Sequence, residues 1–380
     1  MTHTLAREVT ALVRRARSGD PYPAYAALRE MGPLLPTLWG GLLATDHATC
    51  RAVLTGPEFL VPDPAWRDTW VPGWRDRPSL HYAGRTMMQL NPPEHTTVRT
   101  AALPGLSPRA LARLEAEIER LAVVHLDALD RELASHGRAD FARLVGDPLA
   151  MAVMCALLGL PPDDAARLAD MVREVSAALE LFPTHDELDA ADRATGELGA
   201  YLAGRAFALD VDDLLAATLL LAGWHTTASA LSSLVEVLAA DPDRADWLRA
   251  DPGRLDGAVA EVLRHDPLIQ VVSRYATRDT VVAGQAVAAG QVVHLLIGSA
   301  HRDPALLDDP DRLDLTRAPV RGLTFGHGPH YCVGARLAQL QSRVVLRLLL
   351  DRPPLTVAGP VLRRGFVFTR VTALPVGVHR

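Results

Sequence analysis

Residues 212–240 constrain the fold of this 380-residue chain more than any other segment. They read as one long helix ending at Asp241–Pro242, with the most apolar text from Leu214 to Gly223. His225, Thr226 and Thr227 interrupt that text. A membrane-spanning helix needs about 20 predominantly apolar residues, so the run is read as a buried helix of a soluble protein. A helix apolar all round must be covered by other elements. The flanking sequence supplies helical patterning. Leucines and alanines recur at helical spacing over residues 108–133. Residues 147–158 form a second apolar helix, stopped by Gly159 and Pro161–Pro162. Residues 163–181 read as a third, and residues 256–265 as a shorter one stopped by Pro267. β-Branched text punctuated by glycine follows at 271–277, 280–287 and 291–297, and the tail 355–378 reads as strands and turns. Residues 57–78, rich in proline and tryptophan, read as a long loop. The predicted class is mainly α with a minor β region (α+β), in a single domain over residues 1–380.

Composition narrows the function classes. Hydrophobic residues at 49% and charged residues at 22% are a globular balance that excludes disorder, collagen and a coiled coil. The net charge of −6 argues against nucleic-acid binding. All 39 basic residues are arginine, which with the abundant alanine suggests a GC-rich bacterial genome. The N-terminal text carries charges throughout and no apolar core. A cytoplasmic protein with no membrane segment is expected. Three scattered cysteines, Cys50, Cys155 and Cys332, without a C-x-x-C pair, are too few for a disulfide framework or a cysteine-rich zinc site.

One of the three differs from the others. Residues 325–334 read Phe-Gly-His-Gly-Pro-His-Tyr-Cys-Val-Gly, and a helix is predicted from about Gly334. Glycines allow tight turns and close backbone approach. A cysteine at a helix N-terminus meets free N–H groups that favour thiolate. Such a thiolate is a nucleophile or a metal ligand, whereas Cys50 and Cys155 lie on apolar helical text and read as inert.

The pattern Phe325-Gly-x-Gly-x-His330-x-Cys332-x-Gly334 resembles the haem-binding loop of the cytochrome P450 family. The resemblance implies a P450-like fold with haem b as cofactor and Cys332 as the axial thiolate of its iron. A thiolate there pushes electron density toward iron and favours O–O cleavage. Phe325 would shield the sulfur, the glycines would aim N–H groups at it, and His330 would reach a propionate. His95 and Arg99, at i and i+4 in Pro92-Pro93-Glu94-His95-Thr96-Thr97-Val98-Arg99, resemble the family's haem-crossing helix, and Arg274 a further propionate-binding position. Glu261-x-x-Arg264 matches a structural ion pair, locked in the family by a third basic residue that corresponds to Arg312 in Pro310-Asp311-Arg312-Leu313. The matching segments cover roughly residues 85–345.

Two departures follow from the same comparison. Ala222-Gly223-Trp224-His225-Thr226 resembles the family's oxygen-activating segment, with His225 where an acid is usual. Ala222, Gly223 and Thr226 fit. Histidine can shuttle protons near neutral pH, hydrogen-bond a substrate, or make a structural contact, and all three readings stand. The second departure is a deletion after residues 201–207, which resemble the end of one helix of the family's lid pair over the substrate channel. The family places a further helix, its helix H, before the central helix; here only residues 208–211 remain, so that helix is expected to be missing.

Substrate contacts are expected from Trp66, Trp70, Trp74, Met87 and Met88 before the haem-crossing helix. Further contacts are expected from Gly223 and Trp224, from Ile269 and Val272, and from Phe366 and Val367. Their apolar surfaces suit a hydrophobic ligand. The resemblance implies a monooxygenase that hydroxylates, epoxidises or couples a hydrophobic secondary-metabolite intermediate, free or carrier-protein-bound. Electrons would come from NAD(P)H through ferredoxin and ferredoxin reductase. The alternatives are a redox-neutral cyclase or dehydratase using His225 for acid–base work, and a haem-binding protein without turnover.

Overall fold

The computed structural model describes residues 2–320 and 322–378. At its centre runs the helix Asp213–Ala239, opened by Asp212, whose side chain accepts from the Leu215 N–H. This central helix is long and apolar enough to cross a membrane, and it is mostly buried inside the protein. Helices Asp147–Leu158 and Ala335–Leu350 pack along it, and Pro108–His136 covers both of these. Close approach at the first crossing depends on Gly146. A Cβ there would lie 2.8 Å from Ser232 Oγ and 3.1 Å from the Ala228 carbonyl. Helix 147–158 stops at Gly159, which takes the left-handed conformation (φ 70°) that glycine adopts without strain.

The lid region differs in detail from the sequence expectation. The third predicted helix is shorter than residues 163–181. It spans Ala165–Val175, flanked by 3-10 turns at Pro162–Asp164 and Ser176–Leu179. The chain turns extended at Glu180 because its carboxylate is satisfied elsewhere, by backbone N–H groups of residues 366–368. A second lid helix, His185–Leu202, opens with a reciprocal capping box between Thr184 and Glu187. No helix lies between Leu202 and Asp213, in agreement with the expected deletion. Leu209 of the short connection lies against Gly105.

Residues 57–78 are not one loop. They hold a strand, Phe59–Leu60, a helix, Pro64–Trp70, and a 3-10 turn, Trp74–Asp76. Asp63 caps the helix by accepting from the Trp66 N–H, and Pro64 occupies its first turn, where proline loses no hydrogen bond. Those two residues are a start signal that the proline content masked.

The β region contains a five-stranded sheet in the order Leu34–Pro36, Leu42–Ala44, Val292–Leu296, Val271–Ala276, Phe59–Leu60. The pair 42–44 with 292–296 is parallel and the rest are antiparallel. Strand Pro375–Val378 lies between Arg138–Asp140 and Leu355–Val357, tying the C-terminal tail to the helical body. The hairpin Leu362–Arg364 with Arg370–Ala373 carries residues 365–369 at its tip.

Glu261 and Arg264, on helix Leu255–His265, form a bidentate pair at 2.7 and 2.9 Å with both side chains buried. Arg264 also donates to the carbonyls of His301, Pro310 and Arg312. The expected lock by Arg312 is corrected. The Arg312 side chain is exposed and only its carbonyl takes part. Arg317, five residues on, places Nε 3.4 Å from the Glu261 carboxylate, and the Asp314 N–H donates to the same carboxylate. The chain crosses the pair backbone-first at 310–312, so the cation arrives one turn later.

Candidate active site

The loop Phe325–Gly334 closes on itself through a hydrogen bond from the Cys332 N–H to the Phe325 carbonyl at 2.8 Å. Gly326 and Gly328 both take positive φ, 72° and 71°. At Gly328 a Cβ would also press to 2.9 Å from the Leu54 carbonyl, so glycine is required there twice over. The loop delivers Cys332 to the start of helix Ala335–Leu350. There the N–H groups of Gly334 and Ala335 stabilise the sulfur's anionic form, although burial outweighs them and raises the thiol pKa above its ordinary value. The residue is nevertheless exposed. Its sulfur reaches solvent among neighbours that desolvate it. Phe325 packs against a neighbouring core cluster beside it.

Four donors gather near that loop. His95 is buried on helix Glu94–Ala102, one turn before Arg99, and its ring lies 4.1 Å from that of His330. Arg274, on strand Val271–Ala276, is 8% exposed, and among the described residues it donates only to the adjacent Ser273 carbonyl. Burial alone lowers its pKa to about 10. Burial, Arg274, His95 and Arg99 together push His330 down to about 3, and burial with the two arginines also lowers His95. Among the described residues no carboxylate pairs with Arg99 or Arg274. A buried guanidinium without a counter-ion is costly, so the cluster calls for an anionic group from outside the chain. A cofactor bearing two carboxylates and an iron open to a thiolate fits this donor set.

The chain matches the family model described as Cytochrome P450 over residues 254–357. It is 31% identical to the Cytochrome P450 monooxygenase PikC of Streptomyces venezuelae, over 89% of this chain and 85% of that one. It is 31% identical to the Vitamin D(3) 25-hydroxylase of Pseudonocardia autotrophica, over 89% and 88% respectively.

The chain belongs to the cytochrome P450 family.

Its fold agrees. The structure of P450BioI in complex with hexadec-9Z-enoic acid-ligated acyl carrier protein superposes with a TM-score of 0.85 at 26% identity, covering 95% of this chain and 99% of that one. The protein is therefore a P450-type oxidoreductase with haem b as cofactor, and bacterial P450s draw electrons from NAD(P)H through separate proteins. In this P450, Cys332 would hold the iron, and His95, Arg99, Arg274 and His330 would hold the propionates.

On the central helix the segment 222–227 divides by face. The Thr226 hydroxyl donates to the Ala222 carbonyl at 2.7 Å, which keeps it folded against its own helix. Gly223 lies against helix 147–158. A Cβ there would meet Met154 Sδ at 2.6 Å, so its smallness serves the crossing with helix 147–158. Trp224 is fully buried in the core, its indole N–H donating to the Asp147 carbonyl at 2.9 Å. Both residues, expected to contact substrate, have packing partners within the protein. His225 is buried beside the Val172 carbonyl, Arg173 and Arg370, and its Nε2 has no hydrogen-bond partner among the described residues. Burial, and then the two arginines, lower its pKa to about 3. That setting favours the neutral imidazole over the cation.

The three tryptophans expected near substrate also have partners within the protein. Trp66 donates to the Gly290 carbonyl at 2.9 Å and stacks with Trp70 and Tyr275. Trp70 is 55% exposed and lies over Gly290. Trp74 is buried against Gly84, with its indole N–H on Asp68 and two guanidiniums over its rings. All three fasten residues 64–76 to the body. Met87 is buried, with Met88 partly buried beside it, in a turn that packs against the central helix. Ile269 bridges Phe368, and Val272 is half-buried on the sheet. Phe366 packs into the N-terminal core with Val9, Tyr25 and Val271, with Val367 at its edge. Its aromatic surface is used by that core. Sequence reasoning missed Arg317 and Glu180. Arg317 follows Asp314 at i+3, but no local pattern marks Glu180, whose partners lie 186 residues or more away.

Proposed function

We propose that this P450 is a monooxygenase acting on a hydrophobic intermediate of bacterial secondary metabolism, by hydroxylation, epoxidation or oxidative coupling. Bound haem b supplies the oxygen chemistry. The chain's own residues hold and orient it, with Cys332 at the iron and four donors at the carboxylates. Met87, Met88, Ile269, Val272 and Val367 supply the apolar contacts for substrate. The Thr226 hydroxyl, whose proton is committed to the Ala222 carbonyl, offers its oxygen as an acceptor.

The observation that carries the reading over a redox-neutral route is the state of His225. An acid–base histidine works best with a pKa near the operating pH, whereas His225 is held down to about 3. It serves better as a neutral hydrogen-bonding group than as an acid. Ferredoxin and ferredoxin reductase are the proposed electron source. Exposed Arg336, in the first turn of the helix after Cys332, and Arg343, further along it, are the surface cations offered to an acidic ferredoxin.

The test is turnover of the haem-loaded protein against a panel of macrolide, terpenoid and carrier-linked acyl substrates, with and without NAD(P)H, ferredoxin and reductase. Product only with the electron supply is expected. Conversion without reductant would overturn the reading in favour of redox-neutral chemistry. The reduced carbon monoxide difference spectrum should carry the thiolate signature, and Cys332→Ser should abolish it.

A further inference from the structure

Glu180 lies in the segment joining the lid helices Ala165–Val175 and His185–Leu202. Its carboxylate accepts three successive backbone N–H groups. Those of Phe366 and Val367 reach Oε2 at 3.1 and 3.0 Å, and that of Phe368 reaches Oε1 at 3.2 Å. Three converging N–H groups form a nest that an anion fills and a neutral amide fills poorly, because an amide turns one N–H₂ donor toward donors. Gly365 makes room for it. With φ 92°, a Cβ there would stand 3.1 Å from Oε1 and collide with the Phe368 carbonyl.

The captured turn is itself bound to the segment before the sheet. The Gln270 N–H donates to the Val367 carbonyl at 2.9 Å, the Thr369 N–H donates to the Leu268 carbonyl at 2.8 Å, and Ile269 bridges Phe368. Two residues beyond Glu180, Phe182 adds a second anchor. Its ring centroid lies 5.3 Å from that of Trp39 and 6.4 Å from that of Phe366, with the Arg17 guanidinium 4.6 Å above it.

We infer that Glu180 is a positioning residue that clamps the lid segment to the turn Phe366–Phe368, so that entry of a bulky ligand and the placement of Ile269 and Val367 are set together. The inference rests on the proposed location of the substrate beside these residues. Opening the lid requires withdrawing a carboxylate from three N–H groups. Those groups are then left to water or to the ligand.

The test uses the haem-loaded full chain and two azoles whose nitrogen binds haem iron and shifts its spectrum. Imidazole is small enough to enter without lid movement, and econazole is not. In stopped-flow mixing, Glu180→Gln should speed econazole association by about tenfold, the factor equivalent to one lost hydrogen bond to a charged group, and leave imidazole unchanged. Glu180→Asp keeps the charge but draws the oxygens back by one methylene, so its econazole rate should fall between. Should Glu180→Gln lose haem, the aspartate variant carries the same comparison. Unchanged econazole rates in variants with the wild-type carbon monoxide spectrum would overturn the clamp. Equal acceleration of both azoles would also overturn it, because that is general loosening. A wild-type protein without the thiolate signature would instead sink the site assignment, and the clamp with it.

Discussion

At the scale of single residues, the site is marked by charges that lack partners among the described residues. Arg274 is buried with no carboxylate partner among the described residues. Replacing it with leucine should weaken haem retention by about ten- to a hundredfold, from the loss of one charge-assisted hydrogen bond of about 1.5–3 kcal/mol. Haem transfer to an apo-globin acceptor measures this. His225 carries the opposite problem, an imidazole facing Arg173 and Arg370. Two guanidiniums repel an imidazolium and attract a carboxylate. His225→Asp should therefore fold with an ionised side chain and raise the yield of product per NAD(P)H consumed. A lower yield, in a variant with an intact haem spectrum, would show that the imidazole itself is needed.

At the scale of elements, the helix Leu255–His265 is fixed by one buried ion pair and the backbone that crosses it. Removing one partner strands the other, which typically costs about 3–5 kcal/mol. Glu261→Gln should lower the thermal midpoint steeply. Arg317→Ala should also lower it, because its Nε approaches the same carboxylate, whereas Arg312→Ala should leave it nearly unchanged, since that side chain is in solvent. The crossing of the central helix with helix 147–158 is equally specific. Gly146→Ala forces a methyl toward the Ala228 carbonyl, which cannot move as a side chain could. Overpacking of this kind costs about 1–3 kcal/mol, readable as a lower denaturant midpoint at unchanged m-value.

At the scale of the whole molecule, acid sensitivity follows from histidines folded in neutral form. Burial lowers His294 to about 4, and burial with nearby cations lowers His301 to about 3, both from 6.5. His301 is committed on both nitrogens, with Nδ1 at the Arg264 carbonyl and Nε2 accepting from the Leu323 N–H. Below pH 6.5 the unfolded chain binds protons that the folded one refuses, so stability falls with falling pH down to about pH 4 and is flat above 6.5. Each such histidine contributes up to about 1.4 kcal/mol per pH unit. Denaturant melts of the protein from pH 7.5 to 4.5 should show that slope, and His294→Gln should reduce it. A flat profile would mean the buried histidines are protonated in place.

Local text carried the helices, the strands and the cysteine loop, because capping residues, glycine turns and apolar periodicity act within a few residues. The absent helix before Asp213 was legible for the same reason, since the short connection there carries no helical run of its own. What a side chain faces is a different matter. Trp66, Trp74, Gly223, Trp224 and Phe366 have the size and polarity of pocket residues, and only their tertiary neighbours assign them to packing. Arg317 displaced Arg312 because the backbone at 310–312, not its side chains, meets the buried pair. Glu180 became a structural anchor through N–H groups on a turn far along the chain. Sequence by itself determined the family and the fold class, and it singled out the cysteine loop, all written in short-range patterns. The tertiary structure decided which residues the site can use, because burial and charge pairing are set by whatever the fold brings alongside.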